Sequence, residues 1–273
     1  MLVIIGDVGY DIRPKECGVQ KFLGGSGYHA VAGTIAAGKQ PPTFIACVGS
    51  DFDLSEFSKI GINTDHIVQI EHGMTTRFNI YYDNGIRDVV FEMGVSEYEC
   101  MECIDDSIMS SDLIHFTATR PEKQMKYIEK LKNEGFSGLI SADVFDQFCR
   151  ECPSRVLEVL EECDIIFMNA NENEILGIVP QYYCQKGKMF ILKKAEEGAE
   201  CYYKNQYFHA YSPVKNRVID TTGAGDIMAG AFLSLLDAGE SIQQALDLSV
   251  DLATKSVQFL GSEAFLKSFA HFE

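Results

Sequence analysis

Short, unbroken apolar runs alternate along this chain with longer stretches whose apolar residues recur at helical spacing. Residues 2–5, Leu-Val-Ile-Ile, form an apolar tetrad and predict a buried strand. Residues 28–37 are Ala-rich, end before Gly38 and predict a helix with a glycine C-cap. Strands follow at 44–48, 113–116, 138–142, 165–168 and 190–192. Helices are predicted at 122–133 and 154–163, and two longer ones at 224–237 and 241–260. Buried strands separated by helices predict an α/β fold, with a mostly parallel central sheet covered by helices on both faces.

One segment breaks the alternation. Residues 78–82 and 88–93 are strand-like and flank Asp83-Asn84-Gly85, a hairpin signal because Asn-Gly tolerates positive φ at both central positions. This hairpin, with the segment between Asp11 and Phe22, predicts a small β flap on one edge. Neither a low-complexity linker nor an internal repeat divides the 273 residues, so one domain is expected over 1–273, with lid segments near 12–23 and 75–93.

Composition narrows the function. The formal charge of −17 argues against a broad nucleic-acid surface, which needs a basic face, and against docking on anionic lipid. A phosphate-bearing ligand remains compatible, because helix N-termini and metal ions supply local positive field. The longest apolar run, around 227–236, is about half the ~20 residues that a membrane span needs. The N-terminus lacks a basic region and reads as a first strand rather than a signal peptide. Nine cysteines without a secretory signal suggest reduced thiols in a cytoplasmic protein.

The stretch Asp220-Thr-Thr-Gly223-Ala224-Gly225-Asp226, followed by an apolar helix, carries the most chemistry. Small residues at a helix start let backbone N–H groups approach a ligand, and the helix dipole favours an anion there. A carboxylate at Asp226 would sit at the mouth of that pocket, placed to take a proton from an attacking hydroxyl. An anion hole beside a base suits phosphoryl transfer, which depends chiefly on positioning and charge stabilisation. The alternative is that Gly-Ala-Gly merely caps a buried helix and Asp226 complements its dipole.

Asp220 to Asp226, with the following Ala-Gly-Ala-Phe, resembles the C-terminal signature of the ribokinase-like, or PfkB, family of small-molecule kinases. Gly6 and Asp11 match that family's N-terminal Gly-x-x-x-x-Asp, Gly24-Gly25 its glycine pair, Val48-Gly49-x-Asp51 the start of another element, and Asn171-Glu-Asn-Glu174 its Asn-x-x-Glu motif. The resemblance spans nearly the whole chain and implies a ribokinase-like three-layer α/β sandwich with a small β lid. It implies that ATP is the phosphoryl donor and that the acceptor is a small sugar-like molecule. Asp226 would be the catalytic base, and Gly223, Ala224 and Gly225 the anion hole. Asp11, Gly24, Gly25 and His29 would contact substrate. Asn171, Glu174, Lys193, Gly198 and Thr222 would serve the nucleotide, with Asn171 and Glu174 holding Mg2+ through water. A homodimer through the lid is a further expectation of the resemblance. Short length and the stretch from His72-Gly73-Met-Thr75 through Asn84, Arg87 and Gly94-Val95 resemble the fructoselysine 6-kinase subgroup, which implies a fructosamine acceptor.

Two departures stand out. His29 occupies the region after the glycine pair where the family carries a substrate-touching Asn; it is either a satisfied helix histidine or a substrate contact. The family's Thr-x-Gly-x-x-Gly falls on Lys193-Lys194-Ala195-Glu-Glu-Gly198, without the Thr and the first Gly. These departures motivate a second reading, a ligand-sensing protein on the same fold. A third keeps the chemistry and makes the acceptor a nucleoside, which an aromatic sandwich in the pocket would support.

Other motifs carry less. Gly33-Thr-Ile-Ala-Ala-Gly38-Lys39-Gln40 approaches a P-loop but lacks the Ser or Thr after Lys and lies in a helical pattern. The pairs Cys100/Cys103 and Cys149/Cys152 are too far apart for a compact zinc ribbon. Asp143, after a predicted strand, falls where α/β sheets place ligands.

Overall fold

The apolar tetrad at the start of the chain lies inside a nine-stranded sheet in the computed structural model, which describes residues 1–14, 18–83, 86–213 and 217–269. β1 (Leu2–Ile5) pairs in parallel with β4 (Thr43–Gly49) on one side and β8 (Leu113–Phe116) on the other. Beyond β4 lies β5 (Ile67–Ile70). Beyond β8 come β9 (Leu139–Asp143), β10 (Ile165–Asn169) and β11 (Met189–Lys193), all parallel. An antiparallel hairpin, β12 (Ala199–Tyr203) and β13 (Gln206–Ala210), closes that edge.

Helices cover both faces. α1 (Ser26–Ala36), α9 (Ala224–Asp237), α10 (Ile242–Ser256) and α11 (Ser262–Leu266) share one core with Leu2 and Ile4; α4 (Pro121–Asn133) and α6 (Pro153–Glu162) share the other with Val3 and Ile5. Successive β1 side chains point to opposite faces, and both faces are dry, so the strand reads as a continuous apolar run. Shorter helices complete the set: α2 (Ser55–Ser58), α3 (Asp106–Met109), α5 (Asp146–Glu151), α7 (Ala170–Leu176) and α8 (Pro180–Gln185).

α1 and α9 cross almost backbone to backbone. A Cβ on Gly33 would stand 2.1 Å from the Ile227 carbonyl oxygen, and one on Gly230 would stand 1.9 Å from that of Ala30. Gly33 therefore belongs to a helix crossing, and Gly38, at φ 66°, ends α1; the near P-loop is not one.

A second sheet, ordered β3-β2-β6-β7, comprises β2 (Gly9–Pro14), β3 (Val19–Gly24), β6 (Thr76–Asp83) and β7 (Ile86–Glu92). Its strands coincide with the two segments expected to form the flap; the Asn84-Gly85 turn itself lies outside the described residues.

Three features differ from or add to the pattern read along the chain. The helix predicted over 241–260 stops at Ser256, and Gly261, at φ 78°, starts α11. The β12–β13 hairpin escaped the pattern because its two-residue loop is Lys204-Asn205, both at positive φ, rather than the usual Asn-Gly. The sulfurs of Cys47 and Cys100 lie against each other across 53 residues, which sets Cys100 apart from Cys103. Among the described residues no group of three or more His, Cys, Asp or Glu is arranged to hold a metal, and no helix is long and apolar enough to cross a membrane.

Candidate active site

α9 begins at Gly223, which sits in the left-handed region at φ 74°. A Cβ there would lie 2.3 Å from Cγ of His29, so the imidazole of α1 packs directly on the glycine. Asp226 occupies the first turn of α9, where the positive end of the dipole favours its carboxylate. The Ala224 N–H reaches the Thr221 carbonyl at 3.3 Å, so one of the expected anion-hole donors makes a long internal contact.

Opposite this turn, β2 presents Asp11, only 4% exposed. Its carboxylate lies over Gly24, where a Cβ would be 2.2 Å from Oδ1. Gly25, at φ 95°, passes so near the Asp7 carbonyl that a side chain would collide with it. His29 joins the two halves: Nε2 is 3.8 Å from Asp11 Oδ2, and Nδ1 is 2.7 Å from the Ser262 hydroxyl. Its Nδ1 is tied into the fold, and its ring forms a wall of the cleft.

Asp11, Gly25, His29, Thr222, Gly223 and Asp226 line one cleft of about 690 Å3. Residues from both ends of the chain thus meet in one place, near the carboxyl ends of the central strands, where α/β folds bind ligands. The second sheet reaches the same place. Arg13, two residues after Asp11 on β2, donates to the Asp220 carboxylate at 2.5 Å and to the Thr222 hydroxyl at 3.3 Å. Burial opposes the Asp220 charge, but Arg13 and the Thr222 N–H outweigh it and hold its pKa below the usual carboxylate value. Asp51 accepts from the Thr75 N–H at 2.7 Å, so the Val48-Gly49-x-Asp51 element ties the end of β4 to the second sheet.

Several cleft residues were not singled out from the sequence. Asp7 faces Lys123 of α4 at 3.1 Å, and the same ammonium donates to the Ser96 carbonyl at 2.6 Å. Burial raises the Asp7 pKa and Lys123 partly offsets it. Phe78 and Phe91 of the second sheet, with Phe145 and Phe148 near α5, form an aromatic wall; Phe91 meets Phe78 at 5.6 Å and Phe145 at 6.1 Å, edge to face.

Behind the α9 turn lies a buried charge cluster. Lys193, the last residue of β11, donates to Asp143 at 2.5 Å, and a Cβ on Gly225 would stand 3.2 Å from its Nζ. Burial disfavours the ammonium, but Asp143, Glu172 and Asp226 outweigh that and raise its pKa. Glu172 is pushed up to about 8 by burial, with Asp143 adding to the shift and Lys193 opposing it.

The Asn-x-x-Glu assignment needs correction. Asn171 and Glu174 are exposed, and the Asn171 amide reaches only Asp146, at 3.5 Å. The same spacing recurs two residues earlier. Asn169 ends β10 and caps α7, accepting from the Glu172 N–H at 2.9 Å, while Glu172 accepts from the Asn169 N–H at 2.7 Å. This reciprocal box turns Glu172 toward Lys193 and Asp143. A residue at the end of an apolar strand was the available signal. Gly198, at φ 99°, sits in the β11–β12 turn, where a Cβ would be 1.9 Å from the Ala210 carbonyl oxygen; its placement is explained by this close approach.

The donor set bears on magnesium. Carboxylates of Asp143 and Glu172 cluster beside α9, yet they share one ammonium and form no three-carboxylate cage among the described residues. That chemistry fits an ion that would arrive on the phosphates and keep most of its water, and Glu172, not Glu174, is the glutamate on that side.

The chain resembles known proteins in both sequence and fold. The pfkB family carbohydrate kinase description matches residues 2–268. A cytidine kinase of Thermococcus kodakarensis is 23% identical, over 95% of this chain and 97% of that protein. The crystal structure of Methanocaldococcus jannaschii nucleoside kinase superposes with a TM-score of 0.81 at 20% identity, covering 98% of each chain. A Burkholderia thailandensis nucleoside kinase in complex with inosine gives a TM-score of 0.84 at 15% identity, covering 97% of this chain and 94% of that one.

Proposed function

This chain belongs to the pfkB family of carbohydrate kinases, phosphotransferases with a hydroxyl acceptor, and on that premise we propose that it transfers the γ-phosphoryl group of ATP to a hydroxyl of a sugar or nucleoside bound in the 690 Å3 cleft. The observation that carries this reading is the meeting of Asp11 and Asp226 on one cleft, with the Gly223–Gly225 turn beside Asp226. Asp11 accepts hydrogen bonds from substrate hydroxyls and orients the acceptor. Asp226 takes the proton of the attacking hydroxyl as the bond to phosphorus forms. The α9 backbone and dipole stabilise charge on the transferring group. Magnesium would neutralise part of the phosphate charge when bound, and Asp143 with Glu172 would hold it through its water shell.

The second sheet covers the cleft, and Arg13 links it to the Asp220–Asp226 turn. Closing this cover against the phosphates would exclude water and limit ATP hydrolysis.

The aromatic wall favours a nucleoside over a free sugar as acceptor. Four phenylalanines, at the end of the cleft lined also by Lys123 and Arg120, offer a flat apolar group a partner that a bare polyol does not need. The cytidine kinase and the two nucleoside kinases that this chain resembles agree with this reading. A fructosamine is the competing acceptor.

ADP release with magnesium-ATP against nucleosides, ketoses, aldoses and fructosamines tests both levels. We expect turnover on a nucleoside, and a loss of about 10²–10⁴-fold in Asp226→Asn. Near-normal turnover in that variant would remove Asp226 as the base. Preference for a fructosamine would overturn the nucleoside reading while keeping the kinase. ATP binding without turnover on any acceptor would favour a sensor.

A further inference from the structure

We propose that Arg13 is a positioning residue that couples the two halves of the cleft: acting through Asp220, it sets the glycine turn of α9 from the same strand that holds Asp11, so that acceptor and nucleotide bind cooperatively. The inference rests on the kinase reading above and deepens it.

Asp11 and Arg13 stand two residues apart on β2 and therefore on one side of the strand. Asp11 faces the cleft. The Arg13 guanidinium donates to Asp220 at 2.5 Å and to the Thr222 hydroxyl at 3.3 Å. Both partners of the ion pair are largely withdrawn from solvent, Arg13 at 12% and Asp220 at 3% exposure. A shift of β2 around a bound acceptor thus moves the cation that Asp220 holds.

The Asp220 carboxylate passes that position on in two directions. Oδ1 accepts from the Thr222 N–H at 3.0 Å, one residue before Gly223 and the start of α9. Oδ2, besides Arg13, accepts a longer 3.4 Å bond from the Gly261 N–H, at the start of α11. The next residue, Ser262, meets Nδ1 of His29 at 2.7 Å, and the His29 ring packs on Gly223 and faces Asp11. The circuit leaves β2 at Arg13 and returns to it at Asp11. Phe22, paired with Asp11 across β2 and β3, steadies it. The guanidinium stands 5.8 Å over the Phe22 ring, and a Cβ on Gly261 would be 3.1 Å from that ring.

A cation is needed at this place. Asp220 carries negative charge beside a turn that is to receive an anionic phosphate. Arg13 keeps that carboxylate ionised and cancels its charge, and its planar guanidinium reaches the carboxylate and the Thr222 hydroxyl together. Without Arg13, the buried carboxylate would either repel the phosphate or take a proton and loosen its hold on Thr222.

An ion pair that only supported the fold would leave the affinities for acceptor and nucleotide independent. A positioning residue leaves a different mark, a factor by which each ligand raises the affinity for the other, equal in both directions.

Calorimetric titration of the full-length protein with magnesium and β,γ-methylene-ATP, without and with saturating acceptor, measures this factor. The acceptor is cytidine, or the compound of the panel above that is phosphorylated fastest. The wild type should bind the analogue at least about 5-fold more tightly with acceptor present. In Arg13→Met and in Asp220→Asn, shown to be folded by melting curves, the factor should fall toward unity. The wild-type factor in either folded variant would overturn the proposal, as would a wild type whose nucleotide affinity ignores the acceptor. Arg13→Lys keeps the charge without the planar fork; if the other variants do not fold, it should show a smaller factor than the wild type, and an equal one would overturn the proposal. Failure of every panel compound to be phosphorylated would remove the kinase reading, and the coupling with it. Turnover with no coupling would remove the coupling alone.

Discussion

Single residues show how tightly the site is built. Gly223 must be glycine for two independent reasons: its left-handed φ of 74° and the imidazole of His29 lying 2.3 Å from where a Cβ would be. Gly223→Ala therefore meets backbone strain, on the order of 1–3 kcal/mol, and also displaces His29 or the α9 turn. We expect turnover to fall by about 10²-fold, comparable to losing one anion-hole donor, while most of the fold persists. Steady-state kinetics beside a circular dichroism melt would check this. Unchanged kinetics would show that the turn does not touch the transferring group. Residue resolution is also where reading the chain alone went astray. Asn169-x-x-Glu172 and Asn171-x-x-Glu174 have identical spacing, and only the capping of α7 distinguishes the pair that faces Lys193 from the pair that faces solvent.

Elements impose a second level of constraint. α1 and α9 carry the cleft residues His29 and Asp226, and their crossing sets how far apart these two side chains stand. Gly33 and Gly230 bring the two backbones together. Gly230→Ala should cost roughly 1–3 kcal/mol through overpacking, read as a lower urea midpoint with an unchanged slope. An unaffected midpoint would mean that the crossing can relax and does not fix the site. At this level the sequence was informative. The α9 boundaries and the β8 boundaries agree with those expected from apolar spacing, and the second sheet arose where the Asn-Gly hairpin signal lay. β12 and β13 were missed because no strand-length alternation stands out around Lys204-Asn205.

Across the whole molecule, buried titrating groups should shape stability against pH. Glu172 ionises near 4.5 in an unfolded chain but is pushed up to about 8 by burial in the fold. Between those values the native state holds a proton that the unfolded state has released, so stability falls as pH rises through this window. His115 lies the other way. Burial, with Lys193 adding to it, pushes its pKa down to about 3 from the usual 6.5. The unfolded state then binds the extra proton, and stability falls as pH drops from about 6.5 toward 3. Urea denaturation across pH 4–9 should give a maximum between the two limbs. Glu172→Gln, which preserves the α7 cap, should flatten the alkaline limb; an unchanged limb would show that Glu172 is already ionised in the native state.

Family resemblance singled out Asp11; local pattern alone determined the strand–helix alternation, the mostly parallel sheet and the glycine turn that sets Asp226 at a helix start. Each depends on periodicity or on a contiguous motif whose physics acts within a few residues. Tertiary structure alone decided which carboxylates share Lys193, which of two equal spacings turns inward, and that Asp7, Lys123 and four phenylalanines line the same cleft. Those facts depend on contacts between residues tens to hundreds of positions apart. Such contacts leave no periodic trace, because the chain brings them together only when the sheet and its covering helices pack.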